Sequence, residues 1–328
     1  MRKYIFWKKL SGLIWGLSFV LTALPLFAQH QDAGTTGFST LKMLYSAEAN
    51  GMGQAMTGRQ MNCDGMQGNP ATILRTPDDT ITSTFMDHFV GSGGGSIQYL
   101  RSKSIYSAYG VFINYWNSGS IDRTDISDTG EFLDSGETFG AHTILGGVSL
   151  AKFISPAVDF GGNLKFILDQ IDDKSATAVL VDAGLLHHTA NPKIKIGLDV
   201  RNLGVQTTSY TGKGYKESLP TTYNAGVGYD FNATNKLNFD IVKAKGANFV
   251  AKIGYERMVH PNLALRAGFR SNASDYYQGG ALGWTSGLSL GAGWNWRKMT
   301  VDYAVASYGD LGIVNQLSLR YHFNEIIK

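Results

Sequence analysis

Between Val158 and Asp169 the chain alternates. Val158, Phe160, Gly162, Leu164, Phe166 and Leu168 form one set; Asp159, Gly161, Asn163, Lys165, Ile167 and Asp169 form the other. The first set is apolar and the second carries charges of both signs. Successive side chains of a β-strand point to opposite faces, so a period of two predicts a strand with one oily and one polar face. The pattern recurs at Lys193 to Arg201, Thr221 to Phe231, Asn248 to Glu256 and Asn262 to Arg270. Fourteen segments carry it: 80–90, 94–101, 104–116, 138–152, 157–169, 174–188, 193–202, 220–231, 235–244, 247–258, 262–271, 281–296, 298–307 and 313–323. Many have the length that a tilted strand needs to cross a bilayer.

Two all-β architectures share this pattern. A soluble sandwich buries its apolar face, whereas a membrane barrel turns it to lipid and keeps the polar face inside. Three features favour the barrel. The strand number is even. The connections after even strands are short, as at 155–157, 189–192, 232–235 and 260–262. The long connections, 117–137, 203–219 and 272–280, follow odd strands. Short periplasmic turns and longer external loops are the outer-membrane asymmetry. The third feature is the N-terminus. Arg2, Lys3, Lys8 and Lys9 precede the apolar run Leu10 to Phe27, and Ala28 stands where cleavage needs a small residue. Residues 1–28 therefore read as a signal peptide.

The expectation is an all-β fold: a 14-stranded antiparallel transmembrane β-barrel over 80–323, with a C-terminal tail over 324–328. Phe160, Leu164 and Phe166 should face lipid; Asp159, Lys165 and Asp169 should face the lumen. Residues 29–79 do not alternate. The small-residue stretch Ser46 to Gly58 reads as a short helix broken by Gly51 and Gly53, and Asn69-Pro70 as a turn. This segment, 29–79, is expected to fold inward as a short N-terminal helical plug, the alternative being a periplasmic tail. Ser at Asn163, on the lumen face, is expected to be tolerated.

Composition agrees with strands and turns: 40 Gly, 17 Phe, 6 Trp and 16 Tyr, with 17% charged residues against roughly 25% in soluble domains. The formal charge of +3 comes from the leader. Without its four basic residues the chain has 25 Lys and Arg against 26 Asp and Glu. Nothing in that balance suggests nucleic acid. The single Cys63 excludes an internal disulfide and a cysteine metal cluster.

Several blocks along the mature chain resemble the PorV/PorQ family of outer-membrane proteins, a branch of the FadL-like fatty-acid-transporter barrels. They are Ala33 to Ala55 with the core Gly51-Met52-Gly53, Asn69-Pro70-Ala71, Asn202-Leu203-Gly204, Leu219-Pro220, Leu263 to Ser271, and Asp302 to Gly312. Their order and spacing carry the resemblance. Glu48 stands where the family usually has a basic residue, and Gly68 where it has a larger one. The resemblance implies fourteen strands, a plug carrying Gly51, Met52, Gly53, Asn69, Pro70 and Ala71, and an outer-membrane location. It also implies a role in the type IX secretion system, where PorV binds the translocon barrel and takes up the C-terminal domains of cargo.

Candidate chemistry is sparse. Asp122, Asp125, Asp128, Glu131, Asp134 and Glu137 make 117–137 acidic, without a calcium-loop spacing. Together with Tyr210 and Tyr215 these residues are candidates for contacting a partner. His187 and His188 are adjacent on a strand and point apart, so they do not share a metal. Gly91 to Ser96 lacks the Lys and helix of a phosphate loop and reads as a hairpin tip. No catalytic group, cofactor or metal site is expected. Two functions compete: a secretion component acting through external loops, and a FadL-like transporter of small hydrophobic molecules. The mixed charge of the lumen positions argues against the carrier. Met52, Met56, Met61 and Met66 keep it open, as flexible Met side chains suit an apolar pocket.

Overall fold

The computed structural model describes residues 34–76, 79–126, 130, 132–211, 214–272 and 280–323. The expected signal peptide and the tail 324–328 lie outside them. Fourteen antiparallel strands close into one barrel in which each pairs with its neighbours in sequence and β1 pairs with β14. They are β1 Thr80–Asp87, β2 Gly93–Ser104, β3 Ser107–Ile126, β4 Phe132–Ser155, β5 Val158–Ile171, β6 Lys174–His188 and β7 Ile194–Thr208. The second half comprises β8 Thr222–Asn232, β9 Asn235–Ala244, β10 Phe249–His260, β11 Leu263–Arg270, β12 Leu288–Trp296, β13 Met299–Ser307 and β14 Ile313–His322. Closure leaves no edge unpaired at membrane depth.

The exposed face is the oily one. Phe85 is 63% exposed, Leu164 53% and Leu290 66%, and similar side chains ring the wall. Their neighbours on the same strands, Thr84, Lys165 and Ser289, are buried. A soluble monomer rarely exposes an apolar patch beyond a few hundred Å². A continuous belt of this kind belongs in lipid, and the fold is that of an outer-membrane barrel.

The structure moves several expected boundaries. Residues 117–126 and 132–137 are strand rather than loop: β3 and β4 run on for 20 and 24 residues and pair with each other beyond the rim. β7 likewise absorbs Leu203 to Thr208. The turn between β5 and β6 is only Asp172-Asp173, although it lies at the external end. Gly93 to Ser96 belong to β2, so the glycine run is strand, and only Gly91 and Ser92 lie in the turn. Period two marks where a strand crosses lipid. Above the membrane both faces meet water, and the pattern that would reveal the strand disappears.

Residues 34–76 lie inside the barrel. They touch strands all round the ring, which only a segment within the lumen can do. The chain starts at the external end, where Gly37 N donates to Ser218 O at 3.1 Å and Phe38 and Leu41 pack with Leu180 and Leu219. It descends through the helix α1 Ala47–Gly51 and 3-10 turns over Cys63–Gln67 and Pro70–Ile73. It leaves at the tight-turn end, where Arg75 pairs with Asp159 and Ser102 Oγ donates to Thr76 O at 2.5 Å.

Candidate functional site

The segment inside the barrel is seated backbone against backbone. The wall presents glycines to it: Gly291 faces Gly51, Gly268 faces Gly53, Gly197 faces Thr57 and Gly228 faces Gly58. A Cβ at Gly51 would stand 2.9 Å from Gly291 Cα. Gly53 also has φ 62°, a conformation that glycine adopts without strain. The Gly51-Met52-Gly53 core is thus a contact surface with the wall.

Asn69, Pro70 and Ala71 do comparable work lower down. Asn69 caps the turn at Pro70 by accepting from Ala71 N at 3.1 Å. Its Nδ2 donates to Thr57 O and to the wall carbonyl of Leu185, both at 2.9 Å. Gly161 and Gly184 leave room for this turn against the wall. Asp240 accepts the backbone amides of Met56 and Thr57 at 2.8 and 2.9 Å. Asn163 reaches Met66 O at 2.7 Å. The expected tolerance of Ser at Asn163 is corrected here: a shorter side chain loses this anchor and the bonds to Ser149 and Asp182.

Charges complete the attachment. Arg266 bonds Glu256 at 2.7 Å and Asp302 at 2.6 Å. Arg59 of the inner segment bridges Glu48 and Glu256, each at 2.9 Å, and Arg320 pairs with Glu48 and Asp64. Glu48 therefore has a purpose in this chain as the centre of three guanidinium groups. A buried charge costs several kcal/mol unless it is paired and hydrogen-bonded. The mixed signs of the lumen face are these pairs. Alternation over Asn248 to Glu256 and Asn262 to Arg270 puts Glu256 and Arg266 on the polar face. It missed Asp302, which the parity of β13 would have given, and Arg59 and Asp64, which lie on a segment with no period.

Met52, Met56, Met61 and Met66 are buried, and none of them borders the chamber above the inner segment. Met56 and Met61 pack with Leu44 and Ala49, and Met66 with Cys63, Leu74 and Phe112. His188 turns inward to Asp159 at 2.7 Å while His187 faces outward, so they share nothing. Among the described residues no cluster of His, Cys, Asp and Glu could hold a metal.

Space remains above the inner segment. A chamber of about 450 Å³ is bordered by Leu41 to Leu44, by Met86, His88, Phe89 and Tyr308, and by the external ends of β8 to β10. His88 and Phe89 stack at 3.9 Å, and both approach Tyr308 at 5.8 Å. Burial pushes the His88 imidazole below its usual value, which keeps it neutral. On the lipid face, a groove of about 640 Å³ runs over Gly93 to Ser96 between Phe85 and Tyr115. Met86 borders both spaces, and Gly94 beside it has no side chain.

The residues expected to contact a partner divide. Asp122 is exposed on the outer hairpin. Asp125 is also in β3. Asp128 and Glu131 lie outside the described residues. Tyr215 is 74% exposed, and Tyr210 is half-buried. It packs with Phe38 and Leu41, and its hydroxyl donates to Asp169 at 2.8 Å. Burial and that carboxylate raise its phenol well above the usual range.

No family model matches the sequence, and no curated protein matches it. Solved structures do. The toluene transporter TbuX of Ralstonia pickettii superposes with a TM-score of 0.60 at 14% identity, covering 86% of this chain and 99% of that one. The toluene transporter TodX of Pseudomonas putida gives 0.60 at 11%, with the same coverage. A FadL homologue of Pseudomonas aeruginosa gives 0.56 at 11%, covering 86% and 99%. At these identities the likeness is one of fold.

Proposed function

We propose that this barrel takes up small hydrophobic molecules from the external side and releases them sideways into the membrane. The observation that carries the reading is the pairing of a sealed axis with a thin stretch of wall. Glycine contacts and ion pairs fix the inner segment across the lumen, so an axial route would require breaking them together. Met86 lines both the chamber above the inner segment and the lipid-facing groove, in which Gly94 lies beside Met86. Glycine weakens a strand interior, so β2 is where the wall parts at least cost. The structural neighbours named as toluene transporters support the same reading.

The test is a reversible block. Phe85 and Tyr115 lie in one row across Gly95. Cysteines at both positions, in a Cys63→Ser background, are joined by a short thiol-cleavable cross-linker. Uptake of labelled toluene by cells should fall on cross-linking and return on reduction. Unchanged uptake after complete cross-linking overturns the lateral route.

A second reading rests on the hairpin of β3 and β4. It rises beyond the rim with Ile126 66% and Leu133 49% exposed, and such side chains invite a protein partner. With the PorV/PorQ resemblance, the partners would be the type IX translocon barrel and the C-terminal domains of its cargo.

A further inference from the structure

A second groove, of about 620 Å³, crosses the lipid face from β5 to β10, apart from β2. Its body follows one row of the sheet. Phe160, Leu185, Leu198, Ala225 and Ile241 stand opposite one another on β5 to β9. The next row toward the external end passes from Ala183 through Val200, Tyr223 and Lys243 to Phe249. Ala183 and Ala225 have the short side chains that let the floor dip between Phe160, Leu185, Tyr223 and Phe249. Asp199 and Asn224 also border the groove, but both are buried, and Asn224 Nδ2 donates to Asp199 Oδ1 at 2.5 Å.

The groove has a direction. Barrel strands tilt, so a row drawn across them runs obliquely through the membrane. Lys243 is next to last in β9, at its external end, and Phe160 is third in β5, near the tight-turn end. From β5 to β9 the row crosses four strand spacings, about 19 Å, enough for an acyl chain of one leaflet, whose hydrocarbon is roughly 15 Å deep.

Its external end is cationic. Lys243 shares the lipid face with Ile241 and stands between Tyr223 and Phe249 on the neighbouring strands. Its Nζ donates to Ala247 O at 2.6 Å and lies 5.0 Å from the centre of the Phe249 ring. Lys245 is exposed in the turn just beyond. Among the described residues no carboxylate pairs with either lysine. The nearby Glu217 carboxylate lies against Gly37 of the inner segment instead. An ammonium group at the edge of hydrocarbon favours an anionic partner, and basic side chains at that level attract lipid phosphates. A zwitterionic head brings its own cation and gains less from two lysines.

We propose that this groove holds an acyl chain of an outer-leaflet lipid whose anionic phosphate head is bound by Lys243 and Lys245. The site is separate from the wall at β2 and does not rest on the carrier reading.

The experiment uses the full barrel, one copy per nanodisc, in phosphatidylcholine. A phosphatidic acid and a phosphatidylcholine with the same chains, each with a diazirine in one chain, are added in turn at the same low fraction. Cross-linked residues are mapped by peptide mass spectrometry. Phosphatidic acid should label the surface around Leu198, Ala225 and Ile241 at least tenfold more than phosphatidylcholine does, and the two should label the wall around Leu290 alike. Lys243→Gln and Lys245→Gln should each lower the preference about fivefold. Ala225→Trp fills the floor and should cut labelling at Leu198 without changing it at Leu290; should it fail to assemble, Ala183→Trp serves the same purpose. Glycerol 3-phosphate in excess should not compete. Equal labelling by the two lipids overturns the proposal, as does a preference shared by the Leu290 wall or one that survives both lysine changes. Full competition by glycerol 3-phosphate would assign the lysines to free phosphate and overturn the lipid. Ready disulfide formation between barrels through Ala225→Cys, in a Cys63→Ser background and undiminished by phosphatidic acid, would give the groove to a second copy and overturn it too.

Discussion

Gly51 lies against Gly291, Cα to Cα, with no side chain on either residue to separate the inner segment from the wall. A Cβ on Gly291 would stand 3.0 Å from Gly51 Cα and 3.3 Å from Tyr303 O. Neither neighbour can turn away, because both are backbone.

Gly291→Val should therefore shift the inner segment without opening the barrel. Overpacking of this kind costs about 1–3 kcal/mol. The variant should keep the heat-modifiable gel mobility of a folded barrel. A cysteine at Ala55, now fully buried, should label with a bulky thiol reagent several times faster than it does in the parent. Labelling at the parent rate would mean that the segment is held elsewhere.

Leu164 and Asn163 test the two faces of one strand. Arg at Leu164 meets lipid and should cost about 2–4 kcal/mol if it lies near the midplane. Ser at Asn163 leaves Met66 O without its donor and removes the amide that donates to Asp182 Oδ2, a loss of about 1–3 kcal/mol. Both should lower the urea midpoint of refolding into vesicles. Only Asn163→Ser should also speed labelling at Ala55. If Asn163→Ser leaves midpoint and labelling alike, the anchor is dispensable.

Arg266 offers a sharper comparison. Arg266→Met leaves Glu256 and Asp302 each short of a partner and should cost about 3–5 kcal/mol. Adding Glu256→Gln and Asp302→Asn removes the orphaned charges and should recover much of that loss. A triple variant no more stable than the single one would show that the arginine acts through packing rather than charge.

Replacing residues 118–139 by a tight turn probes the outer hairpin. Its strands are paired only with each other above Asn117, so the barrel should assemble with unchanged thermal stability. Hydrocarbon uptake should also be kept. Capture of a secretion partner, if the second reading holds, should be lost. In the parent that capture should weaken between low and physiological salt, since Asp122 and Glu137 are exposed. Loss of uptake in the shortened protein would move the entry route from the chamber to the hairpin.

How much of this was legible in the chain follows from the physics of each part. A strand in a bilayer must alternate, because lipid and lumen impose opposite demands on neighbouring residues. That demand fixed fourteen strands, their number and the sides of Phe160, Leu164 and Lys165 from sequence alone. It weakened where the solvent was the same on both faces, and the outer halves of β3, β4 and β7 were read as loops.

The inner segment obeys no period, since each of its residues answers to a different strand. Sequence could mark Gly51, Gly53 and Asn69-Pro70 as conformational breaks, but not that Gly291, Gly268 and Leu185 receive them. The pairing of Glu48 with Arg59, Arg266 and Arg320 joins residues from both ends of the chain, and only closure of the barrel brings them together. The same holds for the chamber. Lys42, Lys252 and Arg270 stand far apart in sequence among carboxylates of similar number. That these cations reach the chamber, where no described carboxylate joins them in the lining, is decided by depth along the lumen. Alternation reports which face a residue occupies, and nothing local reports the neighbours it meets there.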